Sequence, residues 1–495
     1  MQTTPTAVPS LTTSPLDAVA GQELRCRADT LSFTVISGLI RGLDLLLLSL
    51  AGFVSTFLVT WLYGQRAEGP VALASFAGAL GAGLSFTWAA AYTQPALSSF
   101  AVQMRLLVKP LLIGMFWLIA SLFLFQTDLL PFRGWPLVWV ATAALLIVGS
   151  RLPLTRQMRR WTEAGRLARK IAVVGVGEYS LEFIQRLRGE PGRYRIVGLY
   201  DDRSSRVPLD QLGIEVRGNI ADLVTESRRH PVDIIVVALP LSAAERIGSI
   251  MDALSSTVAD IVLTTDLAGL RFSSRQFDGI GNNAVVSVRE APLKDWRAVK
   301  KLMLDYGLGV VALLLLSPVL FVTAALIKLD TPGPVLFRQP RMGLNNRLFL
   351  CYKSRSMRFG AQDLLADQQT TRNDSRVTRV GRVIRKLSID ELPQLFNVLN
   401  GTMSLVGPRP HAPNTKAADR LFTDVVQQYA VRHRVKPGIT GWAQVNGWRG
   451  ETATVDAIQQ RVTCDLFYIE NWSVRFDLRI MVMTVLREVR STHAF

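Results

Sequence analysis

Residues 303–329 read MLDYGLGVVALLLLSPVLFVTAALIKL, and the meaning of Ser317-Pro318 near their centre decides how the rest of the chain is arranged. The stretch is long and apolar enough to cross a bilayer, for which about 20 residues suffice. A proline inside a helix removes one backbone bond and crowds the preceding turn, so a break or kink is expected there. Ser317 offers a hydroxyl to backbone groups that the proline leaves free. Lys300 and Lys301 stand before the stretch; Lys328 lies at its end, and Arg338 and Arg341 follow it. Basic residues favour the cytoplasmic side, and with both flanks basic no crossing direction is preferred. A helix–break–helix over 303–329 that enters and leaves on one face satisfies both flanks. A proline-kinked crossing is the competing reading, and these residues alone leave both open.

The surrounding composition is that of a membrane protein. The chain has 495 residues, 49% hydrophobic and 19% charged, with a net charge of +17 and a mean hydropathy of +0.24. Such a chain is not dominated by disorder. Cys26, Cys351 and Cys464 are too few for a disulfide scaffold and lack zinc spacing. Residues 1–30, rich in Thr, Pro and Ser and without a signal-peptide pattern, read as a disordered cytoplasmic tail. Apolar segments at about 31–63, 71–92, 106–125 and 135–150 make residues 31–151 a block of four transmembrane helices. In the first of them Arg41 and Asp44 are one helical turn apart, spaced to pair. Arg25, Arg27, Arg105, Lys109 and the basic run from Arg151 to Lys170 outweigh Arg66 and Arg133 on the opposite side. That imbalance puts both ends of the block, and the chain beyond it, in the cytoplasm.

Residues 168–290 change character. Ile171–Gly175, Ile196–Tyr200 and Asp233–Leu239 are continuous apolar runs, and Glu178–Arg188 has a helical pattern. Strands alternating with helices predict a Rossmann-like, parallel, doubly wound sheet. Gly175 and Gly177 begin a dinucleotide fingerprint, but Ser180 stands at its third glycine, and Asp201 is where a ribose-binding acid would fall. The motif is therefore weak, and a structural or regulatory role is favoured. No tyrosine has a lysine four residues later, which argues against short-chain redox chemistry.

Residues 295–495 carry the densest motifs. In RKLSIDELPQLFNVLNG, from Arg385 to Gly401, Leu392, Leu395, Phe396 and Leu399 recur at helical spacing and put Asp390 and Glu391 near a helix start. Helix N-termini favour anions. Adjacent side chains diverge, so one carboxylate can act as nucleophile or base while the other holds a metal ion. Arg409, between Pro408 and Pro410, is a stiffly presented guanidinium suited to phosphate. Lys436 opens KPGITGWAQVNG, which adds turn glycines, an aromatic plane and amides, and Lys353 and Arg355 add cations upstream. Paired carboxylates, a hard-metal site and phosphate-binding cations beside a membrane insertion describe phosphoryl transfer between a soluble and a lipid substrate. Basic charge without an aromatic-studded basic module speaks against nucleic acid.

At these residues the chain resembles the bacterial sugar transferase family, the large monotopic polyprenyl-phosphate hexose-1-phosphate transferases. The resemblance covers about Ala291–Phe495. It rests on Ser317-Pro318, the Lys353 run, the Asp390 run, Val-Gly-Pro-Arg-Pro from Val406 and the Lys436 run. The four helices and Rossmann-like domain match the long form of the family. The resemblance implies a monotopic, α-rich catalytic domain whose active site shares the cytoplasmic side with the middle domain, and so a re-entrant helix at 303–329. It implies that Asp390 attacks the β-phosphoryl group of a UDP-sugar, expels UMP, and passes the sugar phosphate to undecaprenyl phosphate. Glu391 would coordinate Mg²⁺, Arg385 would meet the lipid phosphate, Arg409 and Lys353 would bind phosphates, and Asp465 is a further active-site candidate. Gly447–Thr452, with Arg461 and Asn471-Trp472-Ser473, looks like glucose-transferring members; galactose is the alternative. A bacterial inner-membrane location follows. A membrane-tethered UDP-sugar-modifying enzyme and a non-enzymatic scaffold are the other readings, and a homo-oligomer is left open. From Arg289 onward there are 30 Lys and Arg against 17 Asp and Glu, so most of the basic excess lies in this last domain.

Overall fold

A computed structural model of the chain describes residues 32–63, 69–124, 134–189, 192–203, 216–264, 278–280, 283–360, 374–412, 416–417, 420–421, 429–448 and 454–490. The expected tail 1–30, and Arg25, Arg27, Arg66 and Arg133 of the orientation argument, lie outside these residues. The chain divides into two compact units, Ala28–Arg169 with Pro191–Arg195, and Lys170–Glu190 with Ile196–Phe495.

The first unit holds four long helices: α1 (Phe33–Tyr63), α2 (Gly69–Trp88), α3 (Phe100–Leu124) and α4 (Trp135–Glu163). Each is long and apolar enough to cross a membrane. Helix α4 runs past Ser150, because the charged residues after it are good helix formers even though the apolar pattern stops. Leu48, Leu118, Trp135, Trp139 and Ile147 are fully buried between the helices. A side chain on Gly114 would lie 2.9 Å from the Gly78 carbonyl, so this glycine lets α2 and α3 approach closely. Asp44 does not pair with Arg41. It is buried with Arg151 of α4 and accepts from the Tyr92 hydroxyl at 2.8 Å, while the Arg41 guanidinium lies 5.1 Å from the centre of the Tyr92 ring. A fully buried acid recruits the partner that is itself buried.

The second unit begins with a seven-stranded sheet. Its strands are β1 (Arg169–Val174), β2 (Tyr194–Tyr200), β3 (Val216–Gly218), β4 (Ile234–Ala238), β5 (Asp260–Thr264), β6 (Asp278–Ile280) and β7 (Asn283–Arg289), in the order β3-β2-β1-β4-β5-β7-β6. Helices α5 (Glu178–Arg188), α6 (Ile220–Arg229) and α7 (Ala244–Ala253) alternate with the strands. β1, β4 and β5 are parallel with apolar, buried centres, but β7 and β6 add antiparallel, so the sheet is mixed rather than parallel throughout. The fingerprint loop is internally satisfied. Val176 N–H donates to Asp201 at 2.8 Å, Gly177 N–H donates to the Ser180 hydroxyl at 3.0 Å, and Asp201 is further held by Arg246. The two amides that a pyrophosphate would use are thus taken by the chain's own side chains.

Helix α8 (Asp295–Asp330) follows, and its helical backbone is continuous through Pro318. The expected break is therefore not an interruption of helix. The Ser317 hydroxyl donates to the Leu314 carbonyl at 2.8 Å, the acceptor left free because Pro318 has no N–H. At 36 residues the helix is about 54 Å long if straight, well beyond a hydrocarbon core of about 30 Å. Leu314, Leu315, Phe321 and Leu329 on it are largely exposed.

Both ends of α8 are bonded to the same domain. Near its start, Lys301 is buried and donates to the Val406 carbonyl (2.9 Å) and to Asp477 (2.7 Å). Asp305 accepts from the Ser404 hydroxyl and the Leu405 N–H, both at 3.0 Å. Near its end, Asp330 accepts from Val380 N–H at 3.2 Å, and the Thr331 carbonyl from Arg355 at 2.7 Å. The domain consists of the hairpin β8 (Leu336–Met342) and β9 (Leu348–Ser354), α9 (Arg379–Lys386), α10 (Gln394–Leu399), the parallel pair β10 (Ser404–Val406) and β11 (Gly438–Thr440), α11 (Val455–Glu470) and α12 (Val474–Arg490).

Asp477 accepts from Lys301, Tyr468 and Trp472 and is wholly buried. Asp477→Ala removes the closer of the two carboxylates that pair with the buried Lys301 ammonium and leaves it Asp305 at 3.3 Å, which costs up to about 3–5 kcal/mol. Denaturant unfolding of the detergent-solubilised chain should show a loss of that size, and a change within the scatter of surface substitutions would contradict the role given to this pair.

Candidate active site

The carboxylate pair lies between two helices rather than at the start of one. After α9 the chain turns through Ser388, which has left-handed backbone (φ 55), into a single 3₁₀ turn, Ile389–Glu391, before α10. A non-glycine residue in that region is an uncommon conformation of the kind that clusters at functional sites. Asn397 of α10 secures the neighbouring strand: its side chain accepts from Tyr352 N–H (2.8 Å) and donates to the Leu350 carbonyl (2.7 Å). That bond pair fixes β9, and with it Lys353, beside the dyad.

Arg409 arrives from the opposite side. Gly407 N–H donates to Thr440 and Gly438 N–H to Pro408, which locks the end of β10 to β11. A side chain at Gly407 would come within 2.5 Å of the Lys436 carbonyl, so the tight crossing explains the glycine. The Arg409 guanidinium then makes a two-pronged contact with Glu391, at 2.6 and 3.1 Å, and the Lys353 ammonium donates to the same carboxylate at 3.1 Å.

These contacts drive the two acids apart. Burial alone would raise the Glu391 pKa, but Arg409 and Lys353 outweigh it and hold the carboxyl well below its ordinary value. Asp390 goes the other way: burial raises it, Glu391 adds to the rise, and Lys353 and Arg385 oppose it. One acid is a fixed anion, while its neighbour is more basic. Pairs of carboxyls with separated pKa values mark divided chemical roles.

Arg409 is held in turn from behind. Arg432 donates to the Arg409 carbonyl (2.9 Å), the Tyr429 hydroxyl (3.0 Å) and Asp465, and contacts His411 Nδ1 at 2.6 Å. Arg432 and Asp465 are both buried, 2.7 Å apart. Arg461 contacts His411 Nε2 at 2.9 Å, and Arg341 donates to the Pro410 carbonyl at 3.2 Å. Burial, with Arg432 and Arg461, pushes His411 well below the usual imidazole range, so the ring is neutral.

Of the expected residues, Asp390, Glu391, Lys353 and Arg409 converge. Arg385 bonds the Ser356 hydroxyl at 2.8 Å and is close enough to act on the charge of Asp390. Asp465 reaches the site only through Arg432. Two others are placed elsewhere. Arg355 is buried and caps the end of α8 through the Thr331 and Pro332 carbonyls instead of facing a phosphate. Lys436 is felt by Asp305 and Lys301 under α8, and its ammonium lies 3.6 Å from where a side chain on Gly401 would be. Ser317 and Pro318 lie within α8, away from these bonds. His411 and Arg432, and Arg341 beyond its part as a basic flank of 303–329, were not legible as site residues, whereas Arg461 belongs to the glucose-like pattern; adjacency of His411 to Pro410 was the one local hint. Arg449–Thr452, part of the glucose-like run, lie outside the described residues.

The site is a cation-clamped carboxylate beside a more basic one, on a chain with, among the described residues, five helices long and apolar enough to cross a membrane. Residues 296–491 match the family model of the bacterial sugar transferases, and residues 81–265 that of a CoA-binding domain. The chain is 38% identical over 411 residues to an undecaprenyl-phosphate glucose phosphotransferase of Komagataeibacter xylinus, covering 81% of this chain and 74% of that one. It is 35% identical to a UDP-glucose:undecaprenyl-phosphate glucose-1-phosphate transferase of Escherichia coli (strain K12), covering 71% and 75%. A Klebsiella pneumoniae protein of that same name is 34% identical, covering 78% and 82%. The chain belongs to the bacterial sugar transferase family. The CoA-binding description finds no free anion cradle at Gly175–Gly177, where both amides are already bonded.

Proposed function

We propose that the protein transfers glucose-1-phosphate from UDP-glucose to undecaprenyl phosphate at the cytoplasmic face of a bacterial inner membrane, releasing UMP. The observation that carries this reading is the split dyad: Glu391 pinned as an anion by Arg409 and Lys353, and Asp390 left more basic beside it. The names of the relatives favour glucose over galactose.

In this reading an Asp390 carboxylate oxygen attacks the β-phosphorus of UDP-glucose. The bond to the bridging oxygen breaks, and UMP leaves with that oxygen. The acyl phosphate so formed is then attacked by an oxygen of undecaprenyl phosphate, which regenerates the Asp390 carboxylate and yields the lipid-diphosphate-sugar. Arg409 and Lys353 are placed to take phosphate oxygens as charge shifts, and Arg385 to meet the lipid phosphate. Mg²⁺ commonly binds one or two carboxylates plus substrate phosphates, and the dyad supplies such hard oxygens. Among the described residues no three His, Cys, Asp or Glu side chains gather. Glu391, whose Oε2 accepts a single bond from Arg409, would hold the ion, which when bound neutralises phosphate charge.

Re-entrance of α8 belongs to the same proposal. A helix that crossed would separate its ends by the membrane, whereas Lys301 and Asp305 at one end and Asp330 and Thr331 at the other are bonded to one domain. That arrangement favours entry and exit on one face. Residues 31–151, 168–290 and 295–495 are accordingly taken as membrane block, middle domain and catalytic domain.

Membranes carrying the chain, given radiolabelled UDP-glucose, undecaprenyl phosphate and Mg²⁺, should release UMP and form lipid-linked label, and UDP-galactose should be used less well. Omitting the lipid should leave label on the protein. Asp390→Ala should lower turnover by about 10³-fold or more; full turnover would sink the covalent route. Activity should rise with pH as Asp390 ionises. Because Lys353 lowers the Asp390 pKa, Lys353→Met should move that acidic limb to higher pH. An unmoved limb would mean that another group titrates.

Asp465 and Arg432 act through Arg409 and are positioning residues. Asp465→Asn should lower kcat, and should cost little more when Arg409 is already Ala. Additive losses would assign Asp465 a separate task.

A further inference from the structure

His411 directly follows the loop that presents Arg409, and both of its ring nitrogens meet guanidinium N–H groups. Arg432 Nη1 approaches Nδ1 at 2.6 Å, and Arg461 Nη1 approaches Nε2 at 2.9 Å. Burial and the two cations keep the ring neutral. A neutral imidazole has one nitrogen that accepts and one that carries the proton. It can therefore accept from only one of the two arginines, and it turns an N–H towards the other.

Which arginine it serves follows from what each can give up. Arg432 is 1% exposed, and its Nη2 donates to the Arg409 carbonyl at 2.9 Å and pairs with Asp465 at 2.7 Å. Its Nη1 also donates to the Tyr429 hydroxyl at 3.0 Å, and the guanidinium carbon lies 5.1 Å from the centre of the Tyr429 ring. A guanidinium is planar and rigid, so Nη1 cannot retreat from the histidine without carrying Nη2 off the Arg409 carbonyl. Arg461 is anchored through Nε instead, to the Trp448 carbonyl at 2.9 Å, and can tilt about that bond to take Nη1 off the ring. The backbone under the histidine is fixed as well: Arg341 donates to the Pro410 carbonyl at 3.2 Å, and Met342 N–H to the His411 carbonyl at 3.0 Å. The ring thus acts on Arg432 from a set place.

We propose that His411 is a positioning residue held in the Nε2–H tautomer, whose Nδ1 lone pair accepts from Arg432 and so, through the Arg409 carbonyl, sets the guanidinium that clamps Glu391. Arg461 faces the Nε2 proton and stands outside that chain of bonds. The effect on turnover rests on the reading of the site as a sugar-phosphate transferase; the tautomer does not.

The first measurement is the nitrogen NMR spectrum of the full chain in lipid nanodiscs, with its four histidines and its arginines isotope-labelled. The His411 ring is recognised by guanidinium nitrogens close to both of its own, and loss of its signal in a folded His411 variant confirms the assignment. It should show a bare Nδ1 and a protonated Nε2; a proton on Nδ1 overturns the proposal. That reading needs no variant, so a misfolded one does not protect the inference.

The second is turnover of two isosteres. The amide of asparagine reaches the place of Nδ1, and that of glutamine the place of Nε2. His411→Asn should keep turnover within about threefold, and His411→Gln should lose about tenfold or more, as expected when a charged donor is left without its acceptor. Equal losses, or the larger loss with asparagine, overturn the role given to Nδ1. A chain with the expected tautomer that forms no lipid-linked sugar fails the transfer reading alone. A chain that turns over UDP-glucose with the proton on Nδ1 fails this inference alone.

Discussion

Glu391 is the point on which the catalytic domain converges. Its carboxylate is half a step from burial, and it stays charged there only because a guanidinium and an ammonium reach it from separate parts of the chain. Removing either leaves a desolvated anion short of its partner, a far larger penalty than losing a surface ion pair. The position of Lys353 depends on β9, which Asn397 ties to the helix after the dyad. That of Arg409 depends on the β10–β11 crossing and on Arg432 behind it. One charge thus obliges a hairpin, a strand pair and a buried ion pair to hold a common geometry.

The same clamp divides the labour of two adjacent acids. Asp390 and Glu391 share nearly the same burial, yet their pKa values move in opposite directions, because the cations are aimed at one of them. A nucleophilic carboxylate gains from reduced solvation provided it still ionises. Lys353 and Arg385 oppose the rise that burial imposes on Asp390.

Where the sequence was informative, short-range chemistry carried the information. The dyad, the Pro-Arg-Pro clamp, the lysine of β9 and the apolar helices are patterns within a dozen residues; the helices formed where the apolar runs are, and Lys353, Arg409 and the dyad lie together, the dyad in a 3₁₀ turn rather than at a helix start. Ser317 illustrates this most directly: a hydroxyl next to Pro318 met the carbonyl that the proline frees. What escaped was pairing across the chain. Asp44 was matched to the nearest arginine and instead took Arg151, 107 residues away. Arg355 looked like a phosphate ligand because it follows Lys353 by two positions. The alternation of a strand and the turn beyond it sent it to the end of α8. Arg432 and His411 show no local pattern, because what unites them is a shared buried volume and not a spacing.

The middle domain enters the same argument through its contact with the catalytic domain. With Asp201 and Ser180 occupying the amides of the fingerprint loop, the module has little use for that loop as an anion site. Its α6 instead ends on carbonyls that the catalytic domain satisfies: Asn345 donates to Ser227 at 2.8 Å, and Arg347 to Arg228 and Arg229, the latter at 2.9 Å. The last turn of a helix leaves carbonyls unpaired and carries partial negative charge, so an amide and a guanidinium are apt caps. Asn345 and Arg347 form the turn of the hairpin whose second strand delivers Lys353 to Glu391. The dock between the domains and the clamp on the dyad are therefore two ends of one hairpin.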